Sequence, residues 1–132
     1  NQSGNTYVSY CFAEKQGYSK FGTYTGNGNA NGPFVYTGFK PAWTMIKRAD
    51  AADQWNIYDN KRDTFNDVHQ RLTANSSAVE STNVDPGVDY LSNGIKIRTD
   101  DDNFNNDGGI YIYMAFAEQP FVSSEGVPTT AR

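Results

Sequence analysis

Apolar and polar side chains alternate along much of the chain, and this pattern predicts short β-strands. The clearest segment covers residues 7–13, where Val8, Tyr10 and Phe12 share one face and no charged residue falls on either face. A strand that is apolar on both faces is typical of the interior of a sheet. We therefore expect residues 7–13 to form an interior strand, with Val8, Tyr10 and Phe12 in the core.

Further segments carry a similar pattern between turn residues. A Gly/Asn-rich turn occupies residues 26–32, and Asn93-Gly94 is a strong hairpin signal that is followed by the inward-facing residues Ile95 and Ile97. Many short strands joined by tight turns predict an all-β fold, here a two-layer antiparallel β-sandwich. The other predicted strands cover residues 20–25, 33–37, 42–48, 55–58, 88–91, 94–98 and 110–117.

Two stretches depart from the strand pattern. Residues 59–86 are polar and too long for a simple connection, and Phe65, Val68 and Leu72 have the spacing of one or two helical turns at 64–72. Residues 123–132 have no periodicity, which is typical of a linker or a disordered end. The predicted organisation is therefore one β-sandwich domain over residues 1–122 and a C-terminal tail over residues 123–132.

One internal similarity bears on where the domain begins. Residues 7–14 align without gaps on residues 111–118, and five of the eight positions agree if Val and Ile are counted as a match. The first interpretation, which we favour, is a tandem array in which residues 1–14 are the closing strand of a preceding repeat. The alternative is that two central strands converged on a similar apolar pattern.

Composition and charge exclude several classes of function. The 132 residues suit a single domain, and nineteen aromatic residues supply much of a core. The net charge of −4, with acids and bases interspersed, argues against a nucleic-acid partner. No apolar run is long enough for membrane insertion. The single cysteine, Cys11, excludes an internal disulfide, and its place in an apolar strand pattern predicts a buried, inert thiol.

Several stretches together resemble a family of domains of unknown function in predicted virion and tail-fibre-like proteins of marine bacteriophages. The resemblance implies a concanavalin A-like β-sandwich, which often occurs in tandem, and a location in the virion, outside the cell. It implies other virion protein repeats as partners, but no established activity and no site residues. The stretches that carry it are residues 7–14, 17–28, 32–41, 45–48, 91–98 and 111–121.

Catalytic residues are not predicted. Glycoside hydrolysis needs two carboxylates about 5–9 Å apart across a cleft. No strand has acids two or four residues apart, and Glu14 and Glu118, which each end a predicted strand, do not form such a pair. His69 is the only histidine, and no Gly-x-Ser-x-Gly motif accompanies it, so a solvated surface histidine is the preferred interpretation.

The acidic loop at residues 100–109 is the candidate metal site, with calcium as the ion. Asp101, Asn103, Asn105 and Asp107 alternate as the oxygen ligands of calcium loops do, and Asn106 stands where such loops need a positive φ. Against this, Ile112 occupies the position of the bidentate Glu. A hydrated hairpin loop without metal, and hence no cofactor, is the preferred interpretation.

Four aromatic residues near the Gly/Asn turn are the candidate ligand-binding residues: Tyr18, Tyr24, Phe34 and Tyr36. Exposed aromatic rings stack on sugar faces, so these four predict a platform for a cell-surface glycan. The alternative is that they are core and edge-strand residues. Lys61, Arg62 and Arg71 would attract an anionic glycan, although a mixed solvated surface explains them equally well.

These observations favour a non-enzymatic virion or tail-fibre-like module, used for structure, host-surface attachment or both. The alternative is a free carbohydrate-binding, lectin-like module, and an enzyme ranks third. A homo-oligomer is a further alternative for the partner. An exposed aromatic platform would favour the lectin, whereas a large apolar self-contact would favour the structural role.

Overall fold

The structure is a computed structural model that describes residues 3–81, 87–119, 121–122 and 128–129. It is almost entirely β-structure, with one short helix. The elements are β1 (Ser19–Thr25), β2 (Phe34–Tyr36), β3 (Pro41–Arg48), β4 (Trp55–Asp59), β5 (Leu72–Thr73), β6 (Val88–Leu91), β7 (Gly94–Ile97), α1 (Asp102–Asn105), β8 (Ile110–Ala117), β9 (Phe121–Val122) and β10 (Pro128–Thr129).

Two antiparallel sheets form the sandwich. The larger sheet has five strands in the order β1-β8-β3-β4-β5, and the smaller has three in the order β2-β7-β6. The strands β9 and β10 form a separate two-stranded pair. The β8 strand is paired on both edges, with β1 and with β3. The strands predicted at 20–25, 33–37, 42–48, 55–58, 88–91, 94–98 and 110–117 are confirmed within one or two residues, and so is the all-β sandwich.

The core lies between the two sheets and follows from the alternation in the strands. In β8, Tyr111, Tyr113 and Ala115 point inward and are almost fully buried. From the smaller sheet, Ile95 and Ile97 meet them with exposures of 1 % and 0 %, which confirms their predicted inward orientation. Phe104 of α1 completes the core by packing its ring against Tyr58.

The prediction of an interior strand at residues 7–13 is wrong. These residues form no strand, and Val8 and Tyr10 are 79 % and 82 % exposed rather than buried in the core. Phe12 is also largely exposed, and Cys11, predicted to be buried, is exposed. The physical reason is that β8 already occupies the position between β1 and β3. Residues 7–13 therefore have no pair of neighbouring strands to pair with, although their pattern is apolar.

The helical turns predicted at 64–72 are also absent. The Asp63 carboxylate accepts hydrogen bonds from the backbone N–H groups of His69 and Gln70, at 2.8 and 3.2 Å, which holds this segment in a loop. Val68 is buried, but it forms a bridge with Val88 in extended conformation. Leu72 begins β5 instead of ending a helix.

The loop at 100–109 contains the helix α1, which the sequence did not predict. The Asp101 side chain caps it by accepting a hydrogen bond from the Asn103 backbone N–H at 2.8 Å. Asn106, predicted to need a positive φ, has φ −57°, and Gly108 adopts the positive φ of this loop instead. No helix among the described residues is long and apolar enough to cross a membrane. Most of the predicted tail, residues 123–127 and 130–132, lies outside the described residues.

Candidate functional site

The five-stranded sheet presents an apolar surface on the side away from the core, which we call the outer face. Its central row crosses all five strands, because Phe21 pairs with Met114, Met114 with Met45, Met45 with Ile57 and Ile57 with Leu72. Flanking rows extend the apolar area on both sides. The apolar residues of the outer face are Phe21, Trp43, Met45, Trp55, Ile57, Leu72, Ile110, Ile112, Met114 and Phe116.

A shallow groove opens in the middle of the outer face. Its volume is about 360 Å³, and Phe21 and Trp55 stand on its two sides with Met45, Met114 and Ile112 between them. Trp55 and Ile112 keep 38 % and 37 % of their surface exposed. At the outward positions of the five strands, Lys47 and Asp59 are the only charged side chains. A continuous apolar area of this kind on a protein surface is typical of an interaction site.

One end of the outer face is covered by aromatic rings from the N-terminal segment. The Phe12 ring lies 6.2 Å from Phe21 and 6.0 Å from Phe116, and Tyr18 lies 6.0 Å from Phe116. Edge contacts at these separations are favourable. The remaining part of the face, from Met114 to Leu72, lies beyond these contacts.

The four predicted ligand-binding aromatic residues do not form one platform. Tyr18 lies on the outer face of the large sheet. Tyr24 stacks on Tyr111 at 4.9 Å on the core side, and its hydroxyl donates to the Phe104 carbonyl, so it has a structural role. Phe34 and Tyr36 alone share a surface, on the outward side of the small sheet, with 46 % and 63 % exposure.

Three of the four predicted calcium ligands, Asp101, Asn103 and Asn105, have structural side-chain hydrogen bonds. Asp101 Oδ1 accepts from the backbone and side-chain N–H groups of Asn103, at 2.8 and 2.7 Å. Asn105 is fully buried, and its Oδ1 accepts from the Asn27 N–H at 2.7 Å. Asp107 is exposed. Among the described residues no group of three or more His, Cys, Asp or Glu residues has metal-binding geometry, and the calcium hypothesis stays a prediction.

Asn105 also has a structural role that the sequence analysis did not predict. Its amide nitrogen donates to Asn27 Oδ1, to the Asn29 carbonyl and to the Thr99 carbonyl at 2.7–2.9 Å. It therefore fixes the Gly/Asn loop at 26–32 to the helix α1. The signal that could have indicated this role is the pair of Asn-rich loops, because each needs a polar partner when it is packed against the other.

Several acidic side chains are paired with basic ones rather than with each other. Glu14 pairs with Lys20 at 2.6 Å, Glu118 with Lys40 at 2.7 Å, and Asp89 with Arg98 at 3.3 Å. The hydrogen bond from the Lys40 ammonium lowers the pKa of the Glu118 carboxyl below its ordinary value. The Glu118 carboxylate therefore stays charged near neutral pH and is unsuited to act as a general acid.

The cationic residues considered for an anionic glycan are also engaged. Arg62 forms ion pairs with Asp59 and Glu80, and Arg71 lies 5.9 Å from the centre of the Phe104 ring. Lys61 remains exposed. His69 lies half-buried, with its Nδ1 3.2 Å from the Asp63 carboxylate. A cluster of free cations is therefore not formed by these three basic residues.

The described residues form an all-β, two-sheet domain with a continuous apolar face on the larger sheet. The chain belongs to the family described as Domain of unknown function (DUF7483), whose model matches residues 1–120. No curated protein and no solved structure matches the chain.

Proposed function

We propose that this domain is a non-enzymatic structural module of a virion or tail-fibre-like protein, located outside the cell, that assembles through the outer face and also serves attachment to a host surface. The proposed location outside the cell rests on the resemblance to phage virion domains. The two antiparallel sheets are compatible with a concanavalin A-like arrangement. The observation that carries the assembly role is the apolar row from Phe21 to Leu72.

A second copy of this fold is the partner that suits the outer face best. The face spans four strand spacings and the length of β8, or roughly 400 Å² in projection on each copy, an area that gives a weak and reversible contact between two copies. The centre of the outer face consists of aliphatic and thioether side chains. Because a sugar site needs polar groups beside a stacking surface, a glycan suits this face less well. A second apolar sheet face is the natural complement, as in packed sheets.

A small interface of this kind is useful in an appendage with many copies. Neighbouring modules on one fibre are held close together, so a contact that is weak between free domains becomes strong through effective concentration. The engaged carboxylates support a non-enzymatic role, because Glu14, Glu118 and Asp89 are each neutralised by a base. We expect purified protein not to hydrolyse laminarin, agar, alginate or peptidoglycan, and turnover that a single Asp or Glu substitution abolishes would contradict this.

Solution mass against protein concentration tests the assembly role. We expect a reversible increase in mass toward a dimer as concentration rises to about 1 mM, because small interfaces give weak dissociation constants. Leu72→Thr and Ile112→Thr should abolish it. Leu91→Thr is the matched control, because Leu91 is 36 % exposed, close to the 38 % of Leu72, but belongs to the small sheet. A wild-type domain that stays monomeric throughout would contradict the proposal.

The second candidate is a free carbohydrate-binding module. The observation in its favour is the pair of exposed rings, Phe34 and Tyr36, on the small sheet. Glycan binding by a domain that never self-associates would favour it over the structural role.

A further inference from the structure

A polar groove lies beside the small sheet, on the side of the molecule opposite the outer face. Its volume is about 780 Å³, within the range of ligand sites. Three separate parts of the chain supply its walls: the Gly/Asn loop, the segment after Asp63, and the strands β6 and β7. The lining residues are Ala30, Asn31, Asn66, Asp67, Asp89 and Arg98.

The first wall, the Gly/Asn loop, is held rigidly by side-chain hydrogen bonds. Asn29 N–H donates to Asn27 Oδ1 at 3.1 Å, and Asn31 N–H donates to Asn29 Oδ1 at 2.8 Å, so that two successive Asx turns lead to the groove. The buried Asn105 amide fixes the same loop from below. A wall that is ordered before binding loses less entropy when a ligand arrives.

The second wall is attached to the open edge of β6. The Asn66 side chain accepts from the Tyr90 N–H at 2.9 Å and donates to the Tyr90 carbonyl at 3.1 Å, as a neighbouring strand would. Val68 then pairs with Val88 through two backbone hydrogen bonds of 2.8 and 3.1 Å. These contacts bring Asp67 next to Asp89 and Arg98 at the groove.

An aromatic ring stands at the other side of the same sheet. Phe34 pairs with Lys96, and Lys96 pairs with Asp89, so the ring and the Asp89 carboxylate occupy one cross-strand row, separated by roughly 10 Å. The ring lies over Gly94, where an added Cβ would come within 2.6 Å of it. Gly94 therefore leaves room for Phe34 to lie against the sheet while 46 % of the residue stays exposed.

We propose that the groove and Phe34 together bind a neutral oligosaccharide, with one sugar ring stacked on Phe34 and the hydroxyls of another bonded by Asn31, Asp67 and Arg98. Carboxylates, amides and a guanidinium are suitable partners for sugar hydroxyls, and an aromatic ring suits the apolar face of a sugar. The ligand is neutral because Asp89 balances Arg98 at 3.3 Å and Asp67 balances Lys96 of the same row, so that no net positive charge is left to attract uronic or sulfated glycans.

This inference deepens the attachment role in the proposed function, but it uses surface opposite the outer face. The test is calorimetric titration of the full chain with neutral tetrasaccharides of glucose, mannose and galactose, and with an alginate tetrasaccharide as the anionic probe. We expect at least one neutral probe to bind and the alginate probe not to bind.

The variants Arg98→Gln and Phe34→Ala should each weaken that binding about tenfold or more, as expected for a lost charged hydrogen bond or stacking contact. The matched control for Phe34→Ala is Tyr18→Ala, because Tyr18 is 43 % exposed but lies at the edge of the outer face. Melting temperatures verify that all three variants are folded, and Asn31→Ala replaces any binding-site variant that is not.

The proposal is overturned if no neutral probe binds at millimolar concentration, if alginate alone binds, or if Tyr18→Ala weakens binding as much as Phe34→Ala does. A different result would overturn the assembly role. A monomer that binds a neutral glycan would overturn assembly and leave this site intact, whereas a dimer that binds none would overturn this site alone.

Discussion

The Thr44 hydroxyl lies 2.7 Å from the Tyr90 hydroxyl, joining the five-stranded sheet to the three-stranded sheet across the core. Tyr90 also donates to the Tyr58 carbonyl at 3.0 Å, so Thr44 is the donor in their shared hydrogen bond. Both residues are buried, and burial raises the pKa of the Tyr90 phenol. This hydrogen bond restrains the position of one sheet relative to the other.

Tyr90→Phe should lower the free energy of unfolding by about 1–3 kcal/mol, because it leaves the buried Thr44 hydroxyl without its partner. Adding Thr44→Val should recover part of that loss, since both polar groups are then removed together. Chemical denaturation of the two single variants and the double variant measures this. Tyr36→Phe, at a 63 % exposed position, is the control and should be neutral. Strictly additive losses would contradict a direct coupling.

The two similar segments, residues 7–14 and 111–118, allow a matched comparison. Cys11 aligns with Ala115, but Cys11 is exposed and Ala115 is fully buried. Ala115→Leu should destabilise the domain by about 1–3 kcal/mol through overpacking, whereas Cys11→Leu should leave stability nearly unchanged. The melting temperatures of the two variants, compared with that of the wild type, test this difference.

Deleting residues 1–14 extends that comparison. The segment contacts the sheet through Phe12, the Glu14–Lys20 ion pair and a hydrogen bond from the Ser19 hydroxyl to the Ala13 carbonyl. Because these contacts are few, the shortened domain should stay folded with a small decrease in melting temperature. Unfolding or aggregation after deletion would mean that the segment belongs to this fold, against the interpretation of a preceding repeat.

The ion pair of Glu118 with Lys40 predicts a pH dependence. Because the folded state lowers the pKa of the Glu118 carboxyl, this contribution is present above the unfolded pKa and is lost as pH falls through the folded pKa. Lys40→Met should therefore cost about 0.2–1 kcal/mol at pH 7 and almost nothing in strong acid. Denaturation curves at several pH values test this, and a deficit that persists in acid would assign the loss to packing.

Asn105 should contribute to stability without a metal. Asn105→Ala removes the amide that holds three partners and should lower the free energy of unfolding by about 2 kcal/mol or more. Millimolar calcium should change the melting temperature of neither the wild type nor this variant. A rise with calcium that Asp101→Ala abolishes would instead support the calcium site.

Most of the strands could be predicted because their signals are local. Alternation in residues 110–117 and the turn after Leu91 depend on neighbouring residues only, and both elements are present. The role of Gly94 nevertheless differs from the predicted one. It lies within β7, where it makes room for Phe34, rather than in the turn.

The surfaces could not be predicted because they depend on long-range pairing. The row from Phe21 to Leu72 exists only once five strands are in register, and the polar groove combines Asn31, Asp67 and Arg98 from distant parts of the chain. The same limitation explains the error at residues 7–13, since no local pattern tells whether a position in the sheet is already filled.

A site-specific cross-link tests the central claim, assembly through the outer face, most directly. Met45 is the middle residue of the apolar row, so a two-fold axis through the centre of the face brings the two copies of this position together. Packed sheets lie about 10 Å apart, within reach of a short bis-maleimide. The measurement uses Met45→Cys in a Cys11→Ser background, because Cys11 is the only native cysteine.

The account predicts a cross-linked dimer from Met45→Cys, in far greater yield than from Leu91→Cys in the same background. Equal yields at the two positions, or none at Met45→Cys under conditions where the thiol reacts fully with a monofunctional maleimide, would contradict it.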